Sequence, residues 1–352
     1  MSELIDLYSM DEDELVQYFL SLGEPKFRAK QVFSRLATGT PISEITNLPK
    51  KLREYLIENT LDTLPKVERK LTSKLDGTVK YLFRLHDGEC IESVFMRYKH
   101  GNTLCISSQV GCRMGCRFCA STIGGRKRDL LPSELLGQVI AASADMGERV
   151  SNIVMMGIGE PLDNFDNVIK FLRLVNAEGG LNIGYRHISL STSGVVPKIR
   201  ELAEIELPIT LSISLHATTD EKRSAIMPIN NKWGIDELLS ACKYYYTKTG
   251  RRISFEYTLI SGKNDTEDDA LALARLLTSA FRGTGAPIHV NLIRVNEVKE
   301  TGFKSGTTES ANHFCDVLNA NGCVATVRRR LGSDVNAACG QLRRSAAGSD
   351  NN

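Results

Sequence analysis

The sequence predicts an α/β protein: a parallel sheet, open or partly closed into a barrel, with a smaller helical and β-hairpin part before it. Three observations predict it. After Gly101, short apolar segments alternate six times with helical ones, and β-then-α repetition is how a parallel sheet is written in sequence. Ahead of that run the apolar period is helical up to about residue 60. Between the two, the period drops to two and is punctuated by Asp76-Gly77 and Asp87-Gly88, which are hairpin-type turns.

Taken in order, helices are expected over Glu12–Leu22, Lys26–Leu36 and Leu48–Glu58, the first stopped by Gly23 and the second by Thr38-Gly-Thr-Pro41. Short strands follow at Val67–Thr72, Val79–Leu85 and Cys90–Arg97. The repeating part has strands at Thr103–Ser108, Asn152–Gly157, Ile188–Ser193, Ile209–Ser214, Ile253–Ile260 and Ile288–Ile293. Its helices are Pro132–Met146, Asn164–Asn176, Val196–Ile205, Ile235–Thr249, Thr266–Phe281 and Thr308–Asn319, and a last strand is expected at Val324–Arg329. In such sheets, ligands bind at the C-terminal ends of the strands.

The chain has 352 residues, 42% hydrophobic and 24% charged, an ordinary globular composition with room for about two domains. Forty-four basic and 42 acidic residues give a net charge of +2, so any nucleic-acid contact must come from local patches. The basic runs Arg126-Lys-Arg128, Arg328-Arg-Arg330 and Arg343-Arg344 are the candidates. No apolar run is long enough to span a bilayer, and the start lacks an export signal. A cytoplasmic monomer is expected.

Cysteine usage is the unusual feature. The nine stand at Cys90, Cys105, Cys112, Cys116, Cys119, Cys242, Cys315, Cys323 and Cys339, an odd count that argues for reduced thiols rather than a disulfide framework. Cys112-Arg-Met-Gly-Cys116-Arg-Phe-Cys119 places three thiols in one short loop just after the first strand of the repeat. Thiolates suit iron–sulfur clusters or zinc. A structural zinc site wants a fourth Cys or His at short spacing, and only the isolated His100 is near. Three thiolates on a four-iron cluster leave one iron open to a chelating ligand. Gly157-Ile-Gly-Glu160, at a strand end, adds a close-approach backbone and a carboxylate.

Longer segments narrow the reading: Cys105-Ile-Ser-Ser-Gln-Val-Gly-Cys112, Cys119-Ala-Ser-Thr, Met155-Met-Gly-Ile-Gly-Glu-Pro161, Leu190-Ser-Thr-Ser-Gly194, Ser214-Leu-His216, Met227-Pro-Ile-Asn230 and Asp334-Val-Asn-Ala-Ala-Cys-Gly-Gln-Leu342. Together they resemble the radical S-adenosylmethionine superfamily and, within it, the RlmN/Cfr family of RNA adenine methyltransferases, nearest the RlmN branch, from about residue 12 to 344.

The resemblance implies a partial (βα)6 TIM-like barrel as the core, over residues 98–333. A helical accessory domain would occupy 1–63, a β-hairpin segment carrying Glu92 64–97, a catalytic-cysteine loop 334–344, and a disordered tail 345–352. It implies a [4Fe-4S] cluster held by Cys112, Cys116 and Cys119. S-adenosylmethionine, two molecules per turnover, would be contacted by Gly159, Glu160, Ser191, Ser214, Leu215, His216 and Asn296. The implied reaction methylates Cys339 by displacement, then turns that methyl into a carbon radical that adds to carbon 2 of adenosine. Glu92 would remove the ring proton, and Cys105 would form a disulfide with Cys339 that frees the product. The implied substrates are 23S rRNA in the peptidyl-transferase region and tRNA next to the anticodon, with an electron donor and a disulfide reductant as partners.

Two alternatives stay open at the level of sequence. Arg294 stands where the RlmN branch usually has proline, which is more like the branch that methylates carbon 8 and confers antibiotic resistance. A zinc-stapled RNA-binding module without catalysis is the other.

Overall fold

A computed structural model describes residues 4–295 and 302–335. Three helices come first: α1 (Glu12–Ser21), α2 (Phe27–Leu36) and α3 (Lys50–Asn59). Asp11 starts α1 through a capping box, accepting from the Glu14 N–H while Glu14 accepts from its own, which satisfies two orphan donors at once. Leu15, Phe19, Val32, Phe33, Leu52 and Leu56 form a small core of their own, closed by Leu174 from the larger domain.

The strands β1 (Lys66–Thr72), β2 (Val79–Arg84), β3 (Cys90–Tyr98) and β4 (Gly101–Cys105) then run antiparallel to one another. A two-stranded ribbon, β5 (Gln109–Gly111) and β6 (Arg126–Asp129), brackets the three-cysteine loop. The rest alternates: α4 (Pro132–Met146), β7 (Asn152–Met155), α5 (Phe165–Asn176), β8 (Ile188–Thr192), α6 (Val196–Ile205), β9 (Thr210–Ser214), α7 (Asp220–Ile226), α8 (Ile235–Thr249), β10 (Ile253–Leu259), α9 (Glu267–Ala280), β11 (Ile288–Arg294), α10 (Thr308–Ala320) and β12 (Val324–Val327).

One ten-stranded sheet results, in the order β1-β2-β3-β4-β7-β8-β9-β10-β11-β12, parallel from β4 onward. It is the α/β partial barrel that the β-then-α alternation predicts. The hairpin strands are not a layer apart: β3 pairs with β4, Val94 opposite Cys105, so the boundary drawn at residue 97 falls inside a hydrogen-bonded ladder. The ribbon β5–β6 and the short helix α7 are additions that the sequence pattern did not announce. The strands of the ribbon are three and four residues long, and α7 only seven, too short for a period to register.

The parallel strands carry the key to the site. On β10, Phe255, Tyr257 and Leu259 face the helices and join the main core, while Ser254, Glu256 and Thr258 face inward, yet every residue of the strand is buried. Strands β8 and β9 repeat this with Ser189 and Ser191 and with Ser212 and Ser214. Period-two alternation therefore builds a partial barrel with an apolar outside and a polar inside. No helix among the described residues is long and apolar enough to cross a membrane.

Candidate active site

At the C-terminal ends of these strands lies a cavity of about 250 Å³. Cys112, Cys116 and Cys119 line it from one side. Gly159, Glu160, Ser191, Ser214 and His216 line it from the strand ends. Eight of the sequence-predicted residues thus line one cavity. Leu215 lies behind it in the core. Asn296 and Cys339 fall outside the described residues.

The cysteine loop is set by its ribbon. Gly111 has φ +83°, and a Cβ there would sit 2.0 Å from the Gly125 carbonyl oxygen, so only glycine closes the base of the loop. Above it the Cys119 N–H donates to the Cys116 carbonyl, and the Arg117 N–H donates to the Ile226 carbonyl, which anchors the loop to α7. Burial pushes the Cys112 thiol up to about 12, and pushes Cys116 further, with the neighbouring thiols adding to the effect. Two buried thiols side by side resist ionising together, and a bound cationic group is what offsets that.

Among the described residues, no three His, Cys, Asp or Glu side chains converge closely enough to hold a single metal ion. Three thiols lining one cavity suit a cluster, whose irons stand at separate corners. The Ser121 and Ser193 hydroxyls, both in the cavity lining, are buried with no partner in the protein. Orphaned polar atoms at a cavity wall are what a polar ligand satisfies. The residues present fit both a cluster and S-adenosylmethionine.

Glu160 is 3% exposed, and burial raises its pKa although backbone donors oppose this. Its Oε1 accepts from the Leu162 N–H at 3.0 Å and its Oε2 from the Ser193 N–H at 2.7 Å, so it also ties β7's loop to β8's. Gly159 has φ +108°, and a Cβ there would lie 2.7 Å from the Gln109 nitrogen. The close approach expected of this glycine is thus to the protein's own backbone in the first instance. His216 is buried, and burial together with the Arg223 charge lowers its pKa to about 3. Its Nδ1 accepts from the Thr258 N–H at 2.9 Å, which leaves Nε2 to carry the hydrogen of the neutral ring.

Glu92 and Cys105 stand on the adjacent strands β3 and β4, beside the cavity rather than on its wall. Glu92 is 2% exposed, and its Oε2 lies 3.0 Å from the Nζ of Lys80, which is fully buried. Cys105 is buried, which raises its pKa, and the charges of Arg328 and Lys80 oppose that rise. Arg328 also lines the cavity and acts on Glu256 across the barrel. Lys80, Glu256 and Arg328 were not singled out from the sequence. The inward serines of β8 and β9 and the lone carboxylate, Glu256, in β10 were the available signal.

Two expectations change. The basic run Arg126-Lys-Arg128 is paired within the protein: Arg126 with Asp129 at 2.7 Å, Lys127 with Glu89 at 2.6 Å, and Arg128 with Asp87 at 2.6 Å and Glu134 at 2.7 Å. Its charges are thus each paired with a carboxylate of the protein. Arg294 donates to the Thr308 hydroxyl at 2.8 Å and ties β11 to α10, whereas its neighbours Ile293 and Val295 line the cavity. The departure at Arg294 therefore sits on the far side of the strand from the site.

A sheet of this kind, with three thiols at its mouth and a polar groove along its strand ends, defines a radical S-adenosylmethionine enzyme, with its four-iron cluster and S-adenosylmethionine. The sequence model of the radical SAM superfamily matches residues 106–276, and that of the ribosomal RNA large subunit methyltransferase N-terminal domain matches residues 5–61. A probable dual-specificity RNA methyltransferase RlmN of Clostridium botulinum (strain Eklund 17B) is 54% identical over 346 residues, 98% of this chain and 97% of that one. Its counterpart in Clostridium perfringens (strain 13) is 55% identical over 335 residues, 95% of each chain. The crystal structure of a radical SAM methyltransferase from Sphaerobacter thermophilus matches with a TM-score of 0.89 and 40% identity, covering 96% of this chain and 98% of that one. The chain belongs to the RlmN family of radical S-adenosylmethionine RNA methyltransferases.

Proposed function

We propose that this enzyme methylates carbon 2 of adenosine in 23S rRNA and in tRNA, by way of a methylated cysteine. The relatives are named dual-specificity RNA methyltransferases, which supports both RNA substrates. When bound, the cluster with its open iron supplies the electron that splits S-adenosylmethionine and generates a carbon radical.

The chain's own residues do the rest. Cys112, Cys116 and Cys119 hold the cluster against the cavity wall. Glu160 accepts hydrogen bonds from the ammonium of the cofactor's methionyl part. Ser191, Ser214 and neutral His216 line its length, with Gly159 beside them and Leu215 packed behind the wall, and the resemblance adds Asn296 as a further contact. Cys339 carries the methyl group, first received by displacement from one S-adenosylmethionine; a second is consumed in making the radical. The methyl carbon of Cys339, less one hydrogen, bonds to the adenine carbon. Glu92 then takes the proton from that carbon. The hydrogen taken from the Cys339 methyl leaves as part of 5′-deoxyadenosine, and the adduct's odd electron leaves with the ring proton, the cluster being the acceptor that would take it. Cys105, as a thiolate, then attacks the Cys339 sulfur; the carbon–sulfur bond breaks with its electron pair on the methylene carbon, which takes up a proton to become the product methyl, and the two sulfurs stay on the enzyme as a disulfide for an external reductant.

The observation that carries this reading is the placement of Glu92 and Cys105. An acid and a thiol, both buried, stand on paired strands next to the three-thiol cavity, with Arg328 common to both neighbourhoods. The test is anaerobic turnover with labelled S-adenosylmethionine and RNA, followed by nucleoside mass spectrometry. Product 2-methyladenosine is expected; 8-methyladenosine would overturn the assignment of carbon 2.

A further inference from the structure

Arg223 is the largest fully buried side chain of the molecule among the described residues, and none of the reactions above uses it. It sits on α7, about one helical turn before Met227-Pro-Ile-Asn230, a segment singled out in the sequence that no step above employs. Every one of its bonds goes to a neutral oxygen. Nε donates to the Leu215 carbonyl at 3.1 Å, and Nη2 donates to the Ser193 carbonyl at 2.7 Å and to the Ser214 carbonyl at 2.9 Å. Nη1 donates to the Asn230 Oδ1 at 3.0 Å. No carboxylate among the described residues comes within ion-pair distance. Asn230 in turn is held by donating to the Asp220 and Ser224 side chains, at 3.0 and 2.9 Å.

A buried cation with no counter-ion is expensive unless a negative group completes the site. Its acceptors Ser193 and Ser214 belong to the strand ends that line the cavity, and the carboxylate of Asp220 reaches it only through Asn230, beyond ion-pair distance. Cys116 is one of the three thiols of the cluster loop, and it packs with Ile226 and Met227 beside Arg223. The missing negative charge is therefore that of the thiolate-bound cluster itself.

We propose that Arg223 is a positioning residue of the cofactor site with an electrostatic function: it gathers the ends of β8 and β9 and places a fixed positive charge behind Cys116 that favours the cluster in its reduced, more negative form. On taking one electron from an external donor the cluster gains one negative charge; no bond is made or broken. A nearby cation raises the reduction potential of such a centre. Arginine does both tasks because its planar fork reaches several carbonyls and its charge is permanent.

The test uses cluster-loaded protein kept free of oxygen, with the midpoint potential read by paramagnetic resonance and S-adenosylmethionine affinity by equilibrium binding. Arg223→Gln is expected to move the midpoint to a more negative value at unchanged iron and sulfide content. Arg223→Lys keeps the charge and loses the fork, so its midpoint stays near that of the parent while cofactor binding weakens about tenfold. Ser224→Asp, on a partly exposed side of α7, leaves Arg223 in place and adds a negative charge through Asn230; it too is expected to lower the midpoint. A wild-type midpoint in Arg223→Gln overturns the proposal. Should that variant fail to fold, a wild-type midpoint in Ser224→Asp overturns it instead.

Discussion

The ammonium of Lys80 on β2 lies 3.0 Å from the carboxylate of Glu92 on β3, with the two side chains 0% and 2% exposed. Removing one partner of such a pair leaves a buried charge uncompensated. Lys80→Met is expected to lower unfolding free energy by about 3–5 kcal/mol in urea titration. Lys80→Met combined with Glu92→Gln should recover part of that loss. A single-variant loss below about 1 kcal/mol, the value of an exposed pair, would show that water reaches the site.

Cys105 is placed to resolve the covalent link between enzyme and RNA. Cys105→Ala is expected to accumulate that link, seen as a protein–RNA band on a denaturing gel after one anaerobic turnover. Brisk multiple turnover by this variant, with no such band, would remove Cys105 from the reaction.

Gly159 holds Glu160 by a backbone that only glycine adopts readily, and an added Cβ meets the Gln109 nitrogen at 2.7 Å. Gly159→Ala should cost about 1–3 kcal/mol of stability and shift Glu160 away from the groove. Weakened S-adenosylmethionine binding in calorimetry is the expected result; unchanged affinity would mean that the loop absorbs the methyl group without moving Glu160.

Lys127 pairs with Glu89 at 2.6 Å. Lys127→Ala should leave the salt dependence of RNA binding as it is. A phosphate-contacting lysine would change the slope of log K against log salt by about 0.7–0.9, which a filter-binding series resolves.

The turn Ser73–Thr78 clasps the segment that leads toward Cys339: the Asp76 Oδ2 accepts from the Gly332 N–H, and the Asp334 Oδ2 from the Lys74 N–H, both at 2.9 Å. Burial works against ionisation of Asp76, but the Gly332 and Thr78 donors outweigh it and bring its pKa to about 2. The folded pKa is the lower one, so the stabilisation is complete above the ordinary value of 3.8 and disappears as pH falls through about 2. The stability difference between wild type and Asp76→Asn, measured by urea unfolding, should close over that interval. A difference that persists at pH 2 would place the clasp elsewhere.

Helices such as Pro132–Met146 and Val196–Ile205, and strands such as Ile188–Thr192, lie where their periodicity puts them. The three-thiol loop and the groove residues were equally legible, because short motifs at strand ends recur in the same order as the strands. Position 294 was legible as a departure, but only the strand's register shows that its side chain meets Thr308. The Arg126–Arg128 run misled for a related reason: a run of like charges says nothing about Asp87, Glu89 or Glu134 until the chain folds back on it.

By itself the sequence determined the order of the elements, the polar-in, apolar-out alternation of the strands and the donor set of the site. Those are local properties, repeated every two or 3.6 residues or held within one loop. Only the tertiary structure decided which charges are compensated. Lys80 meets Glu92 across a strand pair, and Arg223 reaches Ser193, 30 residues away, with no carboxylate among the described residues within ion-pair distance. Electrostatic energy depends on distance and burial in three dimensions, and neither is written in the spacing of residues along the chain.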